Sequence, residues 1–80
     1  MRSEMRGITK KGNAMQPYQQ RVVDELAELE TKLGNLQVFI TSERFGDIPD
    51  AEQGRLVLQH HIMQSYALVL EQRIGAFPPD

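Results

Sequence analysis

From Val22 to Ile40 the apolar residues Val22, Leu26, Leu29, Leu33, Leu36 and Ile40 recur at spacings of 4, 3, 4, 3 and 4. A strand, whose side chains alternate with a period of two, would scatter this row over both faces. An α-helix of about 3.6 residues per turn gathers it into one narrow seam. Asp24, Glu28, Thr31 and Asn35 fall on other faces, so the helix has one main burying side. Pro17 suits the first helical turn, where its missing N–H costs nothing, and the pattern predicts a helix over about 17–41.

The next stretch, TSERFGDIPD, carries Gly46, Pro49 and two aspartates, which is the composition of a connection over 42–50 with a short turn around Glu43 to Phe45. Asp50 is placed to cap a second helix, with Gln53 three residues later to answer it, and that helix is expected over about 51–77, before Pro78 and Pro79. On it, Leu56, Met63, Ala67, Leu70, Ile74 and Phe77 share one side, and Leu58, Ile62 and Val69 widen the face to roughly half the circumference. Val57 and Leu68 form a separate apolar spot. A single helical mate covers only part of such an arc, so the surplus reads as a subunit interface or, for Val57 and Leu68, as ordinary surface leucines and valines. The expected fold is all-α: an antiparallel two-helix hairpin, residues 17–80, behind a flexible N-terminal extension over 1–16.

Size supports association. A chain of 80 residues buries a small fraction of its surface, and without cysteines or a metal-ligand cluster the stabilising device left to it is oligomerisation. The absence of cysteine also fits a reducing compartment. No apolar run reaches the roughly 20 residues that span a bilayer, and the first residues hold no apolar block suited to a signal peptide, so the expectation is a cytoplasmic protein with no membrane partner.

Charge divides the sequence. Met1 to Gln16 carries four basic residues and one acidic, whereas Pro17 to Asp80 carries five basic and ten acidic. A body with that balance is a poor track for polymeric nucleic acid, and no basic recognition helix is present, which leaves a DNA-binding regulator as the weakest of the readings.

The residues for catalysis are also missing. His60 and His61 are the only histidines and, as helix neighbours, point about 100° apart, so they cannot hold one ion together. Glu25 and Glu28 share a face, but the Glu-x-x-His motifs of a di-metal bundle do not occur, and the six glycines are scattered singly rather than gathered into a phosphate-cradling loop. The sequence therefore predicts a binding protein, without enzymatic activity or cofactor.

Two rows of polar residues stand out. Gln59, Tyr66 and Arg73 recur every seven residues within the apolar arc of the second helix. A buried arginine without an anion is costly, so Arg73 reaches solvent at the helix end, pairs with a carboxylate, or awaits a ligand, and Tyr66 is expected in the core. On the first helix Tyr18, Arg21, Glu25 and Lys32 fall within about 60° of one another. Tyr18 offers a flat face for stacking a base, and Arg21 and Lys32 offer positive charge for phosphate. Tyr18 and Lys32 are about 21 Å apart along a helix, so sharing one cyclic dinucleotide would take two subunits.

The string YQQRVVDELAELETKLGNLQVFI, then RF and IPDAEQGRLVLQ, then MxxYxxxLxxRIxxF from Met63 to Phe77, resembles the helical-hairpin domain of phage anti-CBASS proteins, which is shared with phage sponges that counter Thoeris immunity. The resemblance spans Tyr18 to Phe77. It implies a non-catalytic homo-oligomer, typically a hexamer, in the cytoplasm of an infected bacterium. Such an assembly sequesters cyclic di- and trinucleotides, including dinucleotides of the cyclic GMP-AMP type. By the same resemblance Tyr18 corresponds to a base-stacking tyrosine and Lys32 to a phosphate-binding lysine. Arg73 corresponds to the arginine of a separate trinucleotide pocket. Gly34 stands in that pocket where a polar side chain is expected, a departure that weakens the trinucleotide reading. The competing reading is a small oligomeric helical adaptor whose surplus apolar face docks a host or phage protein.

Overall fold

The computed structural model describes residues 15–78, and these residues form two long α-helices with no strand among them. The first helix, α1, spans Pro17–Ile40, and the second, α2, spans Asp50–Gly75, with a 3-10 turn at Glu43–Asp47 between them. The expected extension over 1–16 lies outside the described residues except for Met15 and Gln16.

Each end is made by local chemistry. At the start of α1 the Gln16 backbone N–H donates to Gln19 Oε1 at 2.8 Å, and Pro17 follows where no N–H is required. The last turn of α1 closes when the Thr41 amide bonds the Gln37 carbonyl at 3.1 Å. The chain then bends: Ser42 Oγ donates to the Phe39 carbonyl at 2.6 Å, and Phe45 turns back edge-to-face on Phe39, ring centroids 6.0 Å apart.

The start of α2 differs from the sequence expectation. Asp50 is the first helical residue and Pro49 occupies the cap position, with no side-chain cap hydrogen bond. Gln53 does not answer Asp50; its amide reaches back to the Ile48 carbonyl at 2.9 Å. Pro49 sets this arrangement, since its ring holds the extended entry and leaves its carbonyl to accept from the amides of Glu52 and Gln53, both at 3.0 Å. Asp50 and Glu52 in the first turn and Arg73 in the last complement the helix dipole.

The two helices pack through their seams. Val22 and Leu29 of α1 are buried against Ala67 and Leu70 of α2, with Leu26, Met63, Ile74 and Phe77 packed around them. Tyr18, at the start of α1, lies edge-to-face on Phe77, just beyond the end of α2, at 5.9 Å between ring centroids, so the beginning of one helix meets the end of the other. Leu70 is fully buried and anchors the core. The α2 seam is itself a 4-3 row: Leu56, His60, Met63, Ala67, Leu70, Ile74 and Phe77.

The sequence placed three further apolar residues on the wide face of α2, and the partner helix leaves them uncovered: Leu58 and Ile62 are each 59% exposed and Val69 48%. Tyr66, expected in the core, is 42% exposed, because it sits beside the seam rather than on it. No helix among the described residues is long and apolar enough to cross a membrane.

Truncating Leu70 to alanine should destabilise the fold by about 2–5 kcal/mol in urea denaturation, whereas Val38→Ala on the solvent side of α1 should stay within about 0.5 kcal/mol of the parent.

Candidate functional site

A wheel drawn at about 100° per residue places Tyr18, Arg21, Glu25 and Lys32 on one side of the α1 seam, and Gln59, Ile62, Tyr66, Val69 and Arg73 on one side of the α2 seam. Because the start of α1 meets the end of α2, these two rows line the same flank of the molecule. Arg21 lies about one turn inward from Tyr18, and Arg73 about one turn inward from Phe77, so the two guanidinium-bearing positions stand at neighbouring levels, one turn in from the Tyr18–Phe77 contact. Tyr18 keeps 47% of its surface exposed, and its hydroxyl is 3.5 Å from the Gln19 amide nitrogen. Gln19 itself is buried.

Arg21, Lys32 and Arg73 are all exposed. Among the described residues the only ion pair is Arg55 with Glu52 at 2.8 Å, so none of the three cations is neutralised by a described carboxylate. An aromatic face and two arginines on one flank offer stacking for a base and forked donors for a phosphate, while Lys32 lies about 21 Å further along α1 from Tyr18.

The opposite flank holds an open cleft of about 320 Å³ lined by Glu30, Leu33, Gly34 and Gln37 of α1 with His60 and Gln64 of α2. Gly34 therefore faces away from Arg73. The two residues that the resemblance assigns to one trinucleotide pocket lie on opposite flanks of a single chain and meet one ligand only if different copies supply them. His60 is half-buried and His61 exposed, their rings nearly perpendicular at 6.1 Å between centroids. No group of three or more metal-ligating side chains occurs among the described residues.

The cleft residues other than Gly34 were missed from sequence, although a signal was present. His60 fills the one step of the α2 seam that lacks an apolar residue, so the pattern of Leu56, Met63, Ala67 and Leu70 points to a polar group facing the partner helix. Gln19 was also missed. Its signal was the Gln16-x-x-Gln19 spacing around Pro17.

The family model described as Sequestin matches residues 16–76. The chain belongs to the Sequestin family. The match covers nearly all of the described residues, and with them the span on which the resemblance to phage sponges was drawn. The uncharacterized 7.5 kDa protein of the denB-rIIB intergenic region of Enterobacteria phage T4 is 40% identical over 63 residues, covering 79% of this chain and 98% of its own length. No solved structure gives a significant match.

An added Cβ at Gly34 would meet nothing within 4 Å among the described residues. Gly34→Ala should therefore stabilise α1 by about 0.5–1 kcal/mol in thermal or urea unfolding, through removal of the backbone entropy that glycine brings to a helix interior. A loss of stability instead would mean that another body packs on that backbone in the assembled protein.

Proposed function

We propose that this Sequestin-family chain is a phage immune-evasion protein that binds cyclic di- and trinucleotide second messengers of bacterial antiphage signalling and holds them without cleavage. What supports this reading is one flank that carries an exposed tyrosine and, by helical register, two exposed arginines that no described carboxylate neutralises. The family's name denotes sequestration, and a relative matched over 98% of its own length is encoded by a phage. The protein acts in the cytoplasm of the infected cell, where such messengers are made.

The working unit is an antiparallel hairpin that assembles with copies of itself into a homo-oligomer, a hexamer by the resemblance. Support comes from the exposed apolar stripe of Leu58, Ile62, Tyr66 and Val69 on α2, which a second copy would remove from water. Assembly also answers a geometric difficulty. Tyr18 and Lys32 are too far apart along one helix to share a dinucleotide, and Arg73 and Gly34 lie on opposite flanks, so both pockets would be built between protomers. Gathering cations from several subunits around one ligand offsets the acidic charge of each body.

Binding without turnover is reasonable chemistry for this surface. Stacking and charge-assisted hydrogen bonds hold a cyclic nucleotide, whereas phosphodiester cleavage needs an aligned nucleophile, and the described residues on the Tyr18 flank include no histidine for that role. Free ligand is depleted and downstream effectors remain unswitched.

Isothermal titration with cyclic GMP-AMP and cyclic tri-AMP, followed by chromatography of the recovered ligand, tests the reading. Submicromolar binding with the ligand returned intact is expected, and hydrolysed ligand or the absence of heat with every cyclic nucleotide would refute it. Tyr18→Ala and Lys32→Ala should each weaken the dinucleotide by about tenfold or more while leaving the oligomer mass unchanged. Arg73→Ala should act selectively on the trinucleotide. Ile62→Glu should reduce the oligomer mass in multi-angle light scattering, since a carboxylate in that stripe would be buried unpaired.

The adaptor reading retains one favourable observation: Val57 and Leu68 are 37% and 53% exposed on the side of α2 away from the stripe. A folded oligomer that binds no cyclic nucleotide, and whose capture of a protein partner is abolished by Leu68→Glu, would favour it.

A further inference from the structure

The seam that mates with α1 uses one side of α2, and a second row with the same rhythm runs along another side. It begins at Ala51 and steps by 4, 3, 4, 3, 4, 3 and 4 to Ala76, the residue that caps the helix. At about 100° per residue the two rows stand about 140° apart, so both cannot face α1. The first is buried or half-buried at every step, and the second is exposed at every step. A 4-3 repeat held over that length is the pattern by which one helix interlocks with another, and none of the described residues covers this one.

The order of residues along the second row says what covers it. Read from its two ends toward the middle, Ala51 matches Ala76, Arg55 matches Gln72, Leu58 matches Val69, and Ile62 matches Ser65. An antiparallel copy of the same helix, turned about a two-fold axis near Met63 and Gln64, sets the members of each pair opposite one another. Small residues then meet at both ends, long polar ones next to them, and leucine meets valine further in. Such self-complementarity is what an isologous interface requires, and an unrelated partner imposes no symmetry on the sequence. The flank of the row agrees. Glu52, Gln59, Tyr66 and Arg73 recur every seven residues beside it, and because the axis is perpendicular to the plane of the two helices, this flank meets the same flank of the other copy. Glu52 then lies opposite the partner's Arg73, and Gln59 opposite the partner's Tyr66, each twice. Within one chain Arg73 has no described carboxylate, and the Gln59 amide reaches the Met63 sulfur at 3.7 Å. Parallel pairing would set Arg55 against its own copy at one level, and moving the antiparallel register by one heptad either way takes Glu52 away from Arg73.

We infer that α2 pairs antiparallel with α2 of a second copy through this row, and that the two-fold dimer so formed is the unit of the oligomer. The inference rests on the proposed association of copies and adds its symmetry, register and contacts. It also completes the Tyr18 end of the molecule. Tyr18 packs on Phe77, and in this register Phe77 comes level with the partner's Asp50, so a ligand held at that end is bordered by two chains.

The sequence has no cysteine, so introduced ones report proximity unambiguously. The full chain carrying both Ala51→Cys and Ala76→Cys, oxidised at micromolar concentration, should run as a closed disulfide-linked dimer on non-reducing electrophoresis, and each single variant should stay unlinked. The two positions are about 38 Å apart along α2, and a disulfide needs Cα atoms within about 7 Å, so the link joins different copies. Glu52→Arg should raise the concentration for half-assembly about threefold or more in sedimentation equilibrium, and adding Arg73→Glu should restore it, which a merely local effect of Glu52 on the start of α2 would not allow. Linkage of either single variant, a ladder of longer polymers, no linkage of the double variant, or failure of the exchanged charges to restore assembly would overturn the inference. Cyclic nucleotides bound by a protein that fails these tests would leave the proposed function standing, whereas a dimer trapped in this register that binds none would strike that function and not the pairing.

Discussion

The contact between the two 4-3 seams is the interaction on which everything else depends. Four apolar side chains, Val22, Leu29, Ala67 and Leu70, are buried, and they fix the relative level of the helices so that Tyr18 meets Phe77 and Leu33 stands beside His60. A core of this size leaves a small margin against the conformational entropy of ordering two long helices. The ends of the helices matter correspondingly: the Gln16–Gln19 bond, the Pro49 entry and the Ser42–Phe39 closure satisfy backbone groups that would otherwise be left to solvent.

Two flanks follow from that one contact, and they differ in kind. One carries an aromatic ring, cations and an apolar stripe. The other carries a cleft with a carboxylate, two amides and an imidazole. The distinction is electrostatic, since arginines favour phosphate whereas a carboxylate disfavours it. The chain belongs to the Sequestin family and is similar to an uncharacterized phage protein.

Much of the helical content was legible in the residues, for a definite reason. The spacings of Val22 through Ile40 and of Leu56 through Phe77 repeat over several turns, and a long periodic row admits few alternatives. Local end chemistry was harder to read. Asp50 and Gln53 have the types and spacing of a cap, yet Pro49 just before them already directs the chain into the helix and leaves Asp50 as the first helical residue. Tyr66 illustrates a second difficulty. A heptad repeat with Gln59 and Arg73 marks the face on which it lies but not whether the partner helix reaches that far, and it does not.

By itself the sequence determined two amphipathic helices, a Pro- and Gly-bearing bend between them, and an apolar surplus on the second, because each of these follows from periodicity and backbone preference over short range. Only the tertiary structure decided which residues share a flank. Arg73 stands with Tyr18 and Arg21, and Gly34 stands with His60, because the level and rotation at which the seams interlock are set by side-chain packing between residues distant in sequence, and a wheel drawn for either helix alone carries no information about the other.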